Sequence, residues 1–236
     1  MVPPMTKLLI PLLTLSLLCA SDSWKYNDNG TKEWGHEAPT CDQGKAQSPI
    51  NIISTNSVIT SHTFELTFHE KLLYKANIID NGHSIKVTPQ RPPYITLNEK
   101  DYVLLQFHYH GKSEHSVDGK FYDLVVHGVF ENKETKELAV IAIFYEEGKV
   151  NRLLQKVLKN VGKSIFIPKI LLPKSTEEYY HYVGSLTTPP CSENVQWYIL
   201  KKPEEASKEQ IEAMRKYHVN NFRPIQELNN RVIDAH

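Results

Sequence analysis

A net charge is the first thing this sequence lacks. Its 236 residues carry 27 basic and 27 acidic side chains, so no electrostatic excess points to nucleic acid or an anionic membrane surface as a partner. No apolar run reaches the roughly 18 residues that a membrane-spanning helix needs. Cysteine is scarce, at three, and no internal repeat, low-complexity tract or Pro/Gly/Ser linker divides the chain. What is left is 40% hydrophobic and 23% charged, the composition of a folded protein rather than a disordered or collagen-like one. The length suits one large domain or two small ones, and it can bury a core without metal or disulfide staples. Eleven histidines are a rich supply of metal ligands.

The N-terminus reads as an address. An apolar run at residues 8–18 follows Lys7 and precedes small residues at Cys19 and Ser21. It is too short to span a bilayer and suits the core of a signal peptide. Residues 1–21 are therefore expected to be a signal peptide cleaved after Ser21, with Ala20 as the alternative. Residues 22–236 are expected to be exported, into a periplasm or out of the cell. Cys19 as an acylated lipoprotein cysteine is the weaker reading, because Leu18 stands where such signals want Gly, Ala or Ser. Without Cys19 two cysteines remain, Cys41 and Cys191, and in an oxidising compartment an even pair is expected to bridge. Two buried free thiols are the alternative.

Short runs rich in Val, Ile, Tyr and Phe recur along the mature chain: IIDNGHSIKV, YVLLQFHYHG, LVVHGVF, ELAVIAIFYEEG and NVQWYIL. Turn-forming stretches such as ENKETKE at 131–137 separate them. The pattern predicts a mainly β single domain around a large, mostly antiparallel, twisted central sheet, with some strands covered on both faces. Helices are few. Asn151 can cap a segment in which Leu153, Leu154, Val157, Leu158 and Val161 recur at helical spacing. Ser207 and Gln210 form a capping box before a second helix, with Ile211 and Met214 facing inward. Both read as packing elements.

The chemistry concentrates at 106–110, Gln-Phe-His-Tyr-His. Residues two apart on a strand project from one face, so His108 and His110 stand side by side while Phe107 and Tyr109 enter the opposite layer. If the chain reverses over GKSEHSVDGK, His127 in the next apolar run arrives on an adjacent antiparallel strand. Three neutral imidazoles would leave one tetrahedral position open, as in a catalytic zinc site. Spacing alone does not choose His127 over His115 as third ligand. Nor does a His-x-His pair by itself exclude ordinary hydrogen-bonded core histidines.

The surrounding motifs decide more. From Trp24 almost to the C-terminus the chain resembles an alpha-class carbonic anhydrase of the exported, bacterial type. The matching pieces are QSPINI at 47–52, NGH at 81–83, QFHYHGKSEH at 106–115, LAVIAIF at 138–144, GSLTTPPC at 184–191 and NNFRPIQ at 220–226. The resemblance implies Zn²⁺ held by His108, His110 and His127, with carbon dioxide and bicarbonate as substrates. A zinc-bound hydroxide then exists near neutral pH, a behaviour for which carbonic anhydrases are themselves the type example. It implies that Thr187 accepts a hydrogen bond from that hydroxide and donates to Glu114, which orients the nucleophile. It makes His83 the proton shuttle, helped by Tyr26 and Asn81. It places Gln106 behind His108, and His115 as a buried orienting residue. An apolar wall of Val129, Leu138, Val140, Leu186, Val195 and Trp197, with Thr188, would face carbon dioxide. The Cys41–Cys191 pairing also matches the exported members, and a homodimer is an option with no interface marked in the sequence.

Three departures stand out. Val125 replaces an acidic residue that would orient the outer nitrogen of His127, an outer-ligand partner whose loss typically costs about 10–100-fold in affinity or activity. Lys86 replaces a neutral polar residue near the proton path, where its charge would depress His83. The loop between His110 and Glu114 is short and lacks a tryptophan. A fold-retaining binding module without catalysis is the rival reading, but such modules usually lose a ligand. A zinc-storage protein would need neither the Thr187–Glu114 pair nor the apolar wall.

Overall fold

The computed structural model describes residues 24–26, 30–59, 66–69, 73–168 and 176–236. The expected signal peptide, with its cleavage site and Cys19, lies outside the described residues. Among the described residues thirteen strands form one sheet. Its main path runs β11 (Lys163–Pro168), β4 (Leu73–Asp80), β5 (Ile85–Pro89), β7 (Lys100–His110), β9 (Leu124–Asn132) and β10 (Leu138–Glu147). It continues through β13 (Glu193–Leu200), β12 (Tyr179–Ser185), β15 (Asp234–Ala235) and β2 (Val58–Ile59). Off this path, β14 (Glu204–Ala206) lies beside β10, and β6 (Tyr94–Leu97) joins β3 (Leu66–His69) to β7. A separate pair, β1 (Asn51–Ile52) and β8 (Ser116–Val117), is parallel.

Most neighbours are antiparallel, as the short turn-punctuated runs predict; β10 with β13, β10 with β14 and β15 with β2 are the parallel pairs of the large sheet. Alternation sorts the side chains of the central strands onto two faces. On β10, Ala139, Ile141, Ile143 and Tyr145 enter one core, and Val140, Ala142 and Phe144 enter the other. On β7, Phe107 and Tyr109 belong to the first core, opposite the histidines between them. A strand covered on both faces cannot alternate with polar residues, which is why LAVIAIF reads as unbroken apolar sequence.

Two helices cover the first core. In α3 (Arg152–Leu158) the Asn151 side chain accepts from Leu154 N at 3.0 Å, and Leu153, Leu154 and Val157 are buried. The helical spacing in the sequence continued to Val161, but the helix stops at Leu158. There the Asn160 side chain donates to the Lys156 carbonyl at 2.8 Å, and Gly162 takes φ +82° to start the next strand. In α4 (Lys208–Tyr217) the capping box of Ser207 and Gln210 forms in both directions, and Ile211 and Met214 are buried. Sequence reading missed α1 (Gly30–Glu37), α2 (Thr40–Gln43) and a 3₁₀ turn at Ser54–Asn56. No helix among the described residues is long and apolar enough to cross a membrane.

Cys41 on α2 is bonded to Cys191. The two share a small buried cluster with Trp34 and Ala38. The bond joins the N-terminal helices to the loop 186–192 that follows β12, across 150 residues of sequence. Closing such a loop in the unfolded chain stabilises the fold mainly through entropy. Reducing the bond, or changing Cys41→Ala, is expected to lower the unfolding free energy by about 2–5 kcal/mol in a denaturant titration. An unchanged midpoint would contradict this assignment.

Candidate metal centre

The β7–β9 register sets His108 directly opposite His127 and His110 opposite Val125. Because the pair is antiparallel, side chains of His108, His110 and His127 share one face. Their ligand atoms lie within 4.8 Å of one another. His115 is not part of this group: it follows the loop, and its Nε2 is 2.6 Å from the Tyr182 hydroxyl. The register thus makes the choice that spacing left open.

Each ring is aimed by what its other nitrogen does. His108 Nδ1 donates to Gln106 Oε1 at 2.9 Å, as the resemblance implied. His110 Nδ1 donates to the Asn221 carbonyl at 2.6 Å. With Nδ1 bonded outward in each ring, Nε2 is the nitrogen turned toward the centre and the one a metal would take. The environment agrees. Burial, then the neighbouring His110 and Lys86, holds His108 well below the usual imidazole range. Burial, then His110, His108 and His115, does the same for His127. Both are neutral rings at neutral pH.

Lys86, expected to depress His83, stands opposite His108 in the β5–β7 register, and its charge lowers that ring. The Val125 expectation fits the geometry. Val125 is fully buried, and His127 Nε2 is buried without a hydrogen-bond partner among the described residues.

Glu114 supplies the negative charge. Its Oε1 accepts from Arg223 N at 2.8 Å. Its Oε2 lies 3.5 Å from His110 Nε2 and 3.7 Å from His127 Nδ1. His110 Nε2 and Glu114 Oε2 are both buried with no hydrogen-bond partner among the described residues. A divalent cation held by the three rings would take the His110 Nε2 atom, so the residues present fit zinc. Without one, burial pushes the Glu114 carboxyl up, against the opposing pull of His110, Thr187 and Arg223. A cation beside it would pull it back down. Thr187 is buried, and its hydroxyl lies close enough to lower Glu114, although no bond of standard geometry ends on Oε2.

The remaining expected residues fall around this centre. Val129, Val140, Val195 and Trp197 are buried in the second core, with Leu138 and Leu186 packed against it. That is the face of β9 carrying His127. Thr188 is half-buried, and its carbonyl accepts from Cys191 N at 2.9 Å, so the disulfide holds the loop bearing both threonines. The His83 ring stacks on Trp24 at 3.7 Å. Tyr26 lies 6.5 Å from both His83 and His110, centroid to centroid, and burial, then Glu114, keeps its phenol protonated. Asn81, expected to help order water, is exposed, and its Oδ1 accepts from His83 N and Ser84 N within the turn.

Sequence reading missed the segment 215–223. Arg215 Nε donates to the Gly111 carbonyl. The Asn221 side chain accepts from Gly111 N and donates to the carbonyls of His83 and Tyr109. Arg223 is buried and donates to Gln47 Oε1, Ser48 O and Cys41 O. NNFRPIQ was visible as a motif, but nothing in its local pattern says which distant atoms it reaches.

Known proteins agree with this geometry. The family described as eukaryotic-type carbonic anhydrase matches residues 29–236. The carbonic anhydrase of Pectobacterium carotovorum is 38% identical over 232 residues, covering 91% of this chain and 92% of that one. That of Neisseria gonorrhoeae is 35% identical, covering 95% and 96%. Among solved structures, alpha-carbonic anhydrase from Thermovibrio ammonificans, in complex with the inhibitor sulfanilamide, superposes with a TM-score of 0.82 at 37% identity, covering 89% of this chain and 98% of that one. With a three-histidine centre on two paired strands and likeness along nearly its whole length, the chain belongs to the alpha-class carbonic anhydrases.

Proposed function

We propose that this carbonic anhydrase interconverts carbon dioxide and bicarbonate at the His108–His110–His127 centre, with Thr187 and Glu114 orienting the attack and His83 carrying away the proton. The observation that carries the reading is the set of three imidazoles and one carboxylate facing one another, with His110, His127 and Glu114 buried and His108 half-buried. Bound there, zinc supplies a hydroxide nucleophile near neutral pH, for which carbonic anhydrases are the type example.

The side chains divide the remaining work. A carboxylate only accepts hydrogen bonds, so the Thr187 hydroxyl gives its proton to Glu114 and keeps lone pairs for the attacking group. That group must then carry a hydrogen, and its own lone pair turns toward the substrate. Carbon dioxide is small and apolar, and Val129, Val140, Leu186 and Trp197 offer it a surface that does not compete by hydrogen bonding. Each turnover converts one water and one carbon dioxide into bicarbonate and a proton. The proton must leave, and an imidazole exchanges protons near neutral pH; the contacts of His83 with Trp24 and Tyr26 support it in that role. We also read residues 1–21 as an export signal, supported by the leader composition and by a Cys41–Cys191 bond of the kind that persists outside the cytosol.

Thr187→Ala is expected to lower kcat/KM for hydration by about 100-fold while zinc affinity is kept, because only orientation is lost. His83→Ala should instead lower kcat at low buffer concentration and leave kcat/KM unchanged, with added imidazole restoring turnover. A Thr187→Ala enzyme that hydrates at the parent rate would contradict the reading.

Val125→Glu would give His127 Nε2 an acceptor. Zinc affinity is expected to tighten by about tenfold in chelator competition, the lower end of outer-ligand effects. Unchanged affinity would show that Val125 is not the reason the nitrogen lacks a partner.

A further inference from the structure

The His83 turn is held from behind by a residue that takes no part in the reaction described above. The turn joins β4 to β5: Asp80 ends one strand, Gly82 takes φ +85°, and Ile85 begins the next. Two side chains organise it. Asn81 Oδ1 accepts from His83 N and Ser84 N. Asp80 Oδ1 accepts from Gly82 N at 2.9 Å, and the same oxygen accepts from His218 Nε2 at 2.7 Å. His218 follows directly on Tyr217, the last residue of α4, 138 residues from Asp80 in sequence.

His218 and His83 also line one pocket of about 570 Å³, with Trp24, Tyr26, Tyr217 and Asn221. A proton leaving His83 has to pass to solvent or buffer near this pocket. The ring position that makes this possible depends on the turn. An Asn-Gly turn between strands is tight but adaptable, and an imidazole placed an ångström off its path transfers protons poorly. A hydrogen bond to a carboxylate is stronger than one between neutral groups, and the His218–Asp80 contact restrains the turn from outside it. Asn221 adds a second, donating to the His83 carbonyl at 3.1 Å.

We infer that His218, acting through Asp80, is a positioning residue for proton transfer: it fixes the Asp80–His83 turn so that the His83 ring reaches its working position. This rests on the reading of His83 as the shuttle. His218 touches neither the substrate nor, among the described contacts, any of the three zinc ligands, so its removal spares the hydration step itself.

The test is steady-state hydration at low and high buffer concentration with the zinc-loaded enzyme, comparing His218→Ala, His218→Gln, Asp80→Ala and His83→Ala. Gln keeps a donor at the Nε2 position and cannot titrate as an imidazole does. His218→Ala and Asp80→Ala are expected to lower kcat at low buffer by about three- to tenfold, less than the ~10²–10⁴ of a general acid–base group. They should leave kcat/KM unchanged, and both saturating buffer and the Gln variant should restore kcat. A fall in His83→Ala without one in His218→Ala overturns this inference and leaves the shuttle reading intact. Failure of His83→Ala to respond overturns both. Failure of Gln to rescue shows that the imidazole itself is used, and an equal fall in kcat and kcat/KM shows general distortion; either result overturns the positioning role.

Discussion

Everything in this protein depends on one pairing, His108 opposite His127 across two antiparallel strands. A zinc site open to substrate needs three neutral donors at fixed spacing and nothing filling the fourth position. Neighbouring strands lie about 4.8 Å apart, and that backbone spacing brings the three ligand atoms within 4.8 Å of one another. The sheet is therefore the instrument that sets the coordination distances. Its two apolar cores serve to keep β7 and β9 from sliding, since a one-residue slip would turn every histidine to the wrong face. Burial that costs these rings their charge is the same burial that prepares them as ligands.

The second dependence is on the chain's far end. The stretch 215–223 reaches the ligand loop through Arg215 and Asn221, the His110 ring through the Asn221 carbonyl, and the Glu114 carboxylate through Arg223 N. Arg223 then carries the connection to Ser48 and to Cys41 beside the disulfide. Arg223 has its guanidinium hydrogen-bonded on both terminal nitrogens, which is what allows a cation to lie so deep. Through this segment the metal centre, the His83 turn and the N-terminal helices become one rigid unit, although no two of them are close in sequence.

Much of this was legible in the sequence, for definite reasons. Alternation and turn residues marked the strands. His-x-His on a strand needed only the two-residue period to place two ligands on one face. The Asn151 cap and the Ser207–Gln210 box are local chemistry and formed as read. What escaped was long-range. The two-residue period could not choose between His115 and His127; the resemblance chose His127, and the register shows the physical reason. Lys86 was read from the resemblance as lying near the proton path; that its strand partner is His108 needed the register. Asn221 acts on His110 from 111 positions away, and a motif by itself does not name its partners. That the Asn81 oxygen accepts from His83 N and Ser84 N within the turn was not read from the sequence.

The most direct test of the central claim is to strip the protein of metal and titrate zinc back while following carbon dioxide hydration in a stopped-flow instrument, with His127→Ala alongside. Activity should rise linearly and level at one zinc per chain, and the variant should lose both the tight site and the activity. Hydration without zinc, or one tightly bound zinc per chain with no hydration, would contradict the account.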